Sequence, residues 1–353
     1  MITKLDLIHP NFALNGKRLG REELIQVAYS LVKEGLLFEK AIGSFLLDWL
    51  DRKAFVMVKT SGSTGTPKVI RLSKQAMVNS AKATGGYFQL QPGDTALHCL
   101  PMQYIAGQMM LVRALVLGLE IDMVEPRSKP VFSQDKPYRF CAMLPMQLES
   151  TIDHLQHIDI LIVGGAPVSK ILAAATQKLQ TKIYVTYGMT ETVTHIALKP
   201  INNDVATPFF EVLPSVTISQ DDRQCLVIEA PEIATEIIIT NDIVIQHSPT
   251  TFEWIGRFDN VINSGGLKLF PEQIEAKLKE IIKTQFFIAS EADDTLGERV
   301  ILILEAENAS LDTTIFEGLD KFEIPKKIYA VPEFVMTKTG KIQRKKTREK
   351  ITF

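Results

Sequence analysis

The chain has 353 residues but only three cysteines, Cys99, Cys141 and Cys225, widely spaced and set among apolar neighbours. An odd number so placed indicates neither a disulfide framework nor a metal-ligand cluster, and it fits a reducing, cytoplasmic setting. Long apolar runs are missing as well. The amino end, "MITKLDLIHPNFALNGKRLG", has no signal-peptide core, and no later run approaches the roughly 20 residues needed to span a bilayer. There is little excess of either charge: a net charge of -2 gives no general attraction to nucleic acid or to an anionic membrane. Neither an internal repeat nor a low-complexity segment occurs. What is present, 46% hydrophobic residues over this length, suffices for a substantial core and two domains of unequal size in a soluble globular protein.

From about Arg21 to Leu50 apolar residues recur at helical spacing in "ELIQVAYSLVKEG" and "KAIGSFLLDWL". Two strands separated by a loop follow, and then short apolar strands alternate with helical stretches: "ALHCL", "IAGQMMLVRALVLG", "EIDMVE", "YRFCAML", "PMQLESTIDHL", "IDILIVGG", "VSKILAAATQKL" and "KIYVTYG". Such alternation predicts an α/β fold whose sheet is mainly parallel and flanked by helices, with ligands at the carboxyl ends of its strands. Between Phe209 and Trp254 the pattern changes to strands separated by turns, which predicts an antiparallel, distorted β subregion. After Gly256 comes a small α+β segment: "VINSGGLKLF", a helix in "PEQIEAKLKEII" with Pro271 in its first turn, the strand "RVILILEAE", and a second helix near "TTIFEGLDKF". The expected domains are residues 1–256 and 257–353, joined around Arg257 to Asn260.

The stretch "VKTSGSTGTPKVIRLS", Val58 to Ser73, gathers hydroxyl residues, Gly62, Gly65 and Lys68 between two strand-like runs. Glycine lets backbone amides approach a ligand, hydroxyls donate further hydrogen bonds and lysine adds a point charge, a set suited to a polyphosphate. The nucleotide P-loop pattern fails, because Pro67 precedes Lys68 and a strand follows instead of a helix. Read alone, the stretch is a mobile hairpin loop before it is a phosphate cradle. The basic tail "KTGKIQRKKTREK" holds seven Lys or Arg residues and no aromatic one, so it reads as a solvated terminus before it reads as a nucleic-acid surface.

The string "TSGSTGTPK", Thr60 to Lys68, closely resembles the phosphate-loop signature of the adenylate-forming superfamily, which includes acyl- and aryl-CoA synthetases, luciferases and nonribosomal peptide adenylation domains. Further strings follow in that family's order. "VGGAP" resembles the segment lining the adenine pocket, with Gly164, Gly165, Ala166 and Pro167; "YGMTET" resembles the one whose tyrosine, here Tyr187 beside Gly188, packs on adenine. In the same string the resemblance gives Thr190 to phosphate and Glu191 to Mg2+, a hard cation that prefers carboxylate and phosphate oxygens. "TND" matches a position usually read T-G-D, with Asn241 in place of glycine and Asp242 for the ribose hydroxyls. In "GRFDNVINSGGLKLFPEQIE", Arg257 resembles a second ribose or phosphate contact, Asp259 the hinge, and Ser264, Gly265 and Gly266 the lip of a pantetheine tunnel. Lys341 in "KTGKIQR" corresponds to the lysine that contacts the acyl carboxylate and the α-phosphate. Thr60, Ser61, Gly62, Ser63, Thr64, Gly65 and Lys68 would hold the phosphates, and Tyr104 and Gly107 of "LPMQYIAGQ" the acid, with Tyr104 where the family has histidine.

This resemblance implies a large AMP-binding domain trimmed at its amino end, a small mobile lid domain, and a two-step ligase using ATP, Mg2+ and coenzyme A as co-substrate. The partners it implies are a small carboxylic acid, ATP and coenzyme A, with no nucleic acid and no membrane span; a homodimer is compatible with it. Compact length and the "LPMQYIAGQ" and "GGAPVSK" surroundings look most like the short o-succinylbenzoate-CoA ligases of menaquinone biosynthesis. Such an acid carries two carboxylates, so its pocket should offer a cation or several donors to the one that does not react, and no such cation is assignable from the sequence. The alternatives are another aryl- or acyl-CoA ligase, an enzyme that passes the adenylate to a carrier protein, or a nucleotide-binding protein without turnover.

Overall fold

A computed structural model of the chain describes residues 7–59, 69–337 and 341–351. The whole expected phosphate loop, Thr60 to Lys68, therefore lies outside the described residues.

A short hairpin, β1 (Ala13–Leu14) and β2 (Lys17–Arg18), turns at Asn15 and Gly16, which both have positive φ, 48° and 77°. Asn-Gly is the pair that such a two-residue turn favours. Helices α1 (Arg21–Glu34) and α2 (Leu37–Leu50) then pack side by side. Their close approach depends on Gly43, where a Cβ would lie 2.6 Å from the Ala28 carbonyl oxygen. Strands β3 (Phe55–Lys59) and β4 (Val69–Ser73) pair antiparallel as a separate two-stranded sheet. The Ser73 hydroxyl accepts from the Gln75 and Ala76 amides and so starts α3 (Lys74–Phe88).

The expected alternation follows as β5 (Thr95–His98), α4 (Ile105–Leu117), β6 (Glu120–Met123), β7 (Tyr138–Met143), α5 (Pro145–Thr151), β8 (Ile158–Val163), α6 (Lys170–Ala175) and β9 (Lys182–Gly188). Strands β6, β5, β7, β8 and β9 lie side by side in that order and all parallel. The same sheet then continues antiparallel through β10 (His195–Pro200), β11 (Phe210–Val212), β12 (Thr217–Gln220), β13 (Cys225–Glu229), β14 (Ile238–Gln246) and β15 (Thr251–Arg257). The result is one thirteen-stranded sheet, so the subregion read from the turns is an extension of the parallel part. Cys99, Cys141 and Cys225 are all buried and free.

Beyond Arg257 a second sheet forms from β16 (Ile262–Ser264), β17 (Leu267–Leu269), β18 (Phe286–Asp293), β19 (Gly297–Glu305) and β20 (Lys327–Val331), with α7 (Pro271–Leu278) packed on it and α8 (Arg344–Arg348) near the end. Its apolar clusters, centred on Ile274, Leu302 and Phe316 and on Phe287, Ile303 and Phe334, draw only on residues from Ile262 onward. The helix expected near "TTIFEGLDKF" is not there: only a four-residue 3-10 turn, Thr313–Phe316, forms. Two threonines and Gly318 weaken helix propensity there, and burial of Phe316 and Leu319 needs no more than that turn. Among the described residues no helix is long and apolar enough to cross a membrane.

Candidate active site

The carboxyl ends of β8 and β9 carry two of the expected motifs. Gly164 follows β8 so closely against β9 that a Cβ would lie 2.3 Å from the Thr186 hydroxyl, and Gly165 has φ 85°. Gly165, Ala166 and Pro167 are exposed, which leaves a backbone shelf open to a flat ligand. Gly188 ends β9 where a Cβ would meet the Thr194 carbonyl oxygen at 2.3 Å, so only glycine permits the chain to fold back there.

Thr190 and Glu191 lie in the turn between β9 and β10. The turn is braced by the Thr192 hydroxyl, which accepts from the Met189 amide at 3.0 Å and donates to the Thr194 carbonyl oxygen at 2.7 Å. Val193, fully buried, holds φ 64° while its amide donates to the Thr190 carbonyl oxygen at 3.0 Å. A β-branched residue in the left-handed region stores roughly 1–3 kcal/mol of strain and persists only where its surroundings fix it. The turn thereby presents Glu191 as an exposed carboxylate.

A polar cluster forms where β14 and β15 pair, with Asp242 opposite Arg257. Asp242 is only 7% exposed; its Oδ2 accepts from the Tyr187 hydroxyl at 2.7 Å and its Oδ1 from Arg257 Nη1 at 3.2 Å. Arg257 Nη2 also reaches Asp259 at 3.3 Å. The Tyr187 ring stands edge-on to Phe210 and Phe252, and burial together with the Asp242 charge pushes its phenol far above the ordinary tyrosine value.

Lys341 comes to this cluster from the last segment of the chain. Its amide donates to the Thr337 hydroxyl at 2.9 Å, and the Thr337 amide donates to its carbonyl oxygen at 2.8 Å, a clamp that fixes the backbone. The side chain is half-buried. Burial, then the Arg257 charge, pull the ammonium below the ordinary lysine value, and Asp242 opposes them. Lys341 is thus not one of a row of solvated cations, unlike the exposed Lys345 and Lys346. Among the described residues Lys341 makes no ion pair of its own, and Arg257 is already engaged with Asp242 and Asp259, so the ammonium is left to meet a further anion.

Ser264, Gly265 and Gly266 form the tip of the β16–β17 hairpin, the glycines at φ 57° and 83°, and the Gly265 amide donates to the Leu296 carbonyl oxygen at 2.8 Å. Among the described residues no hydrogen bond joins them to the Asp242 cluster. Tyr104 immediately precedes α4, and Gly107 in its first turn is pressed against the chain so that a Cβ would lie 2.4 Å from the Pro101 carbonyl oxygen. The buried His98 ring lies 3.0 Å from the Gly107 carbonyl oxygen, and burial lowers its imidazole to about 4, so it is neutral and pins α4 to β5.

Sequence reasoning missed Arg113, also on α4. It is 1% exposed, and among the described residues its guanidinium pairs with no carboxylate. Its Nε donates to the Thr84 hydroxyl at 3.3 Å and its Nη2 to the Thr194 hydroxyl at 3.3 Å, with His195 Nδ1 at 3.4 Å. Burial alone lowers the guanidinium to about 9, while burial and the Arg113 charge hold His195 far below the ordinary histidine range. A small cavity beside His195 is lined by Asn79, Ser80, Leu213 and Val216, and the buried Ser80 hydroxyl has no partner. The available signal was a lone charge in the otherwise apolar run "MMLVRALVL".

The family model for AMP-binding enzymes matches residues 51–222. A curated relative, 2-succinylbenzoate–CoA ligase of Listeria monocytogenes, is 24% identical over 388 residues, covering 96% of this chain and 83% of its own length. The enzyme of that name from Escherichia coli is 23% identical over 87% of this chain and 71% of its own. Among solved structures, o-succinylbenzoate CoA synthetase from Bacillus subtilis in complex with its acyl-adenylate intermediate superposes with a TM-score of 0.69, at 18% identity, over 84% of this chain and 69% of its own. An acyl-CoA synthetase (AMP-forming)/AMP-acid ligase II-like protein from Dyadobacter fermentans shares 34% identity with a TM-score of 0.63, over 95% of this chain and 99% of its own. With that identity sustained along nearly the whole length of both chains, this chain belongs to the AMP-binding enzyme family.

Proposed function

We propose that the chain is an AMP-forming acid–thiol ligase that joins o-succinylbenzoate to coenzyme A through an acyl adenylate, a step of menaquinone biosynthesis. In the first half-reaction a carboxylate oxygen attacks the α-phosphorus of ATP, the α–β phosphoanhydride bond breaks, and pyrophosphate leaves. In the second, the coenzyme A thiol, losing its proton to solvent, attacks the acyl carbonyl and AMP leaves. Phosphoryl chemistry of this kind rests on positioning and charge neutralisation, which matches a site of amides, hydroxyls and cations without a protein nucleophile.

The observation that carries the ligase reading is the meeting of Lys341 with Asp242 and Arg257. Asp242 offers its oxygens to the ribose diol, with Tyr187 and the shelf from Gly164 to Pro167 against adenine. Lys341 places its ammonium between the attacking carboxylate and the α-phosphate, the two anions that must meet, and Arg257 adds a second positive charge. Glu191 would hold Mg2+, which takes one or two carboxylates and completes its shell with phosphates and water; an exposed carboxylate on a braced turn fits that need. Bound there, the ion would offset charge on the phosphates. Residues 1–256 and 257–353 act as two domains about Asp259, so that Lys341 and the Ser264–Gly266 lip serve different half-reactions.

For the acid, support comes from the relatives named 2-succinylbenzoate–CoA ligase and from Arg113. Among the described residues this buried guanidinium is held by neutral groups and meets no anion, and the second carboxylate of o-succinylbenzoate would supply one. The test is pyrophosphate release with o-succinylbenzoate, benzoate and fatty acids, each with and without coenzyme A. Turnover of o-succinylbenzoate far above the others is expected; equal or better turnover of benzoate overturns the assignment of the acid, and silence across the panel overturns the ligase.

A further inference from the structure

The departure of "TND" from the usual T-G-D places a side chain where the family has none, and the structure gives that side chain partners. Asn241 Nδ2 donates to both oxygens of Asp259, at 3.3 and 3.2 Å. Its Oδ1 accepts from Arg223 Nη1 at 2.9 Å. Arg223 is fixed in turn: Nη2 donates to the Thr240 carbonyl oxygen at 3.1 Å, the guanidinium pairs with Asp221 at 2.7 Å, and it lies 5.0 Å from the Phe258 ring centroid. Because arginine can only donate, the amide oxygen must face Arg223 and the amide nitrogen must face Asp259. The orientation of Asn241 is therefore set by its neighbours.

We infer that Asn241 is a positioning residue that latches the Asp259 pivot to β14, and so favours the orientation in which Lys341 faces Asp242 and Arg257. Asp259 sits in the 3-10 turn Phe258–Asn260, between the last strand of the large sheet and the first of the small one, so rotation about it must break these bonds. Without the amide, the hydrogen bond left to Asp259 among the described residues is the one from Arg257. The latch is exposed, Asp259 being 56% accessible at its side chain, and solvent-competed bonds of this kind are weak enough to open on each turnover. A second tie crosses the junction, Gln273 Nε2 to the Ile255 carbonyl oxygen at 2.8 Å, so loss of Asn241 loosens the pivot without freeing it.

The inference builds on the two-step reading, and its test has a readout independent of it. Cysteines introduced at the exposed Ile237 and Phe322 take a donor and an acceptor dye, because the native thiols are buried. Single-molecule transfer efficiency then reports the distance between the two segments in wild type, Asn241→Ala and Asn241→Asp. The alanine variant should raise the share of a second distance by about three- to tenfold, the equivalent of one exposed hydrogen bond to a charged acceptor. Aspartate, which keeps the Arg223 contact but repels Asp259, should raise it further. The ratio of thioester formation to adenylation should rise in the same order, with melting temperatures little changed. An unchanged distance distribution in both variants, or a loss of melting temperature with the ratio unmoved, overturns the latch. Shifted distances with no acid adenylated uphold the latch while refuting the ligase.

Discussion

Replacing Arg113 by methionine should leave the protein nearly as stable as before, or slightly more so, and make the enzyme worse. The side chain is 1% exposed, and burial alone takes its guanidinium from the ordinary arginine value down to about 9. At about 1.4 kcal/mol per tenfold, that depression places a burden on the charged form of order 5 kcal/mol. The sign is that of a buried base: the folded state disfavours the proton, so the full penalty is present at neutral pH and is relieved only above about 9. Methionine restores most of the volume without the charge, and replacing buried ions by apolar residues of similar size stabilises by roughly 1–4 kcal/mol. Against this stands the loss of the bonds to the Thr84 and Thr194 hydroxyls, about 1 kcal/mol each. The balance expected runs from a loss of about 1 to a gain of about 2 kcal/mol, a shift of at most a few degrees in a thermal melt at neutral pH. The same variant should lose about 10²–10³-fold in kcat/KM for o-succinylbenzoate, since the acid's second carboxylate would be left buried and unpaired, while activity with benzoate stays constant or rises. o-Succinylbenzoate should raise the melting temperature of the wild type and not of the variant. A variant that melts earlier and keeps its preference for the dicarboxylate would refute the reasoning, because Arg113 would then be a structural cation.

Lys341→Ala should reduce adenylation from ATP by about 10²–10³-fold and leave the reaction of a supplied acyl adenylate with coenzyme A largely intact, whereas Lys346→Ala should change neither. Equal adenylation rates in these two variants would return Lys341 to the solvated tail. Because Lys341 titrates below the ordinary lysine value and acts as its charged form, wild-type adenylation should fall on the basic side before free lysine would lose its proton, and that limb should vanish from the residual rate of Lys341→Ala. Glu191→Gln should keep the fold and raise the Mg2+ concentration needed for half-maximal adenylation; an unchanged Mg2+ dependence would remove Glu191 from the site.

Much of the fold was legible because its signals are local. Strand and helix periods and the Pro271 start of α7 are set by sterics and hydrogen bonds within a turn or two of chain, and the α/β alternation from Thr95 to Gly188 follows from them, whereas α3, capped by Ser73, was not read. Local signals also misled. "TTIFEGLDKF" has helical spacing yet makes only a 3-10 turn, since tertiary burial of Phe316 and Leu319 overrides weak propensity. The motifs named the residue types suited to phosphate, ribose and metal, which the sequence determined by itself. What only the tertiary structure decided is which of them meet. Tyr187, Asp242, Arg257 and Lys341 come from distant parts of the chain, and their meeting depends on the β14–β15 register and on how the last segment returns to the large sheet. The same holds for Arg113, whose place in an apolar helix was visible while its want of a carboxylate among the described residues was not, because a charge finds its partner across elements and no spacing along the chain records that distance.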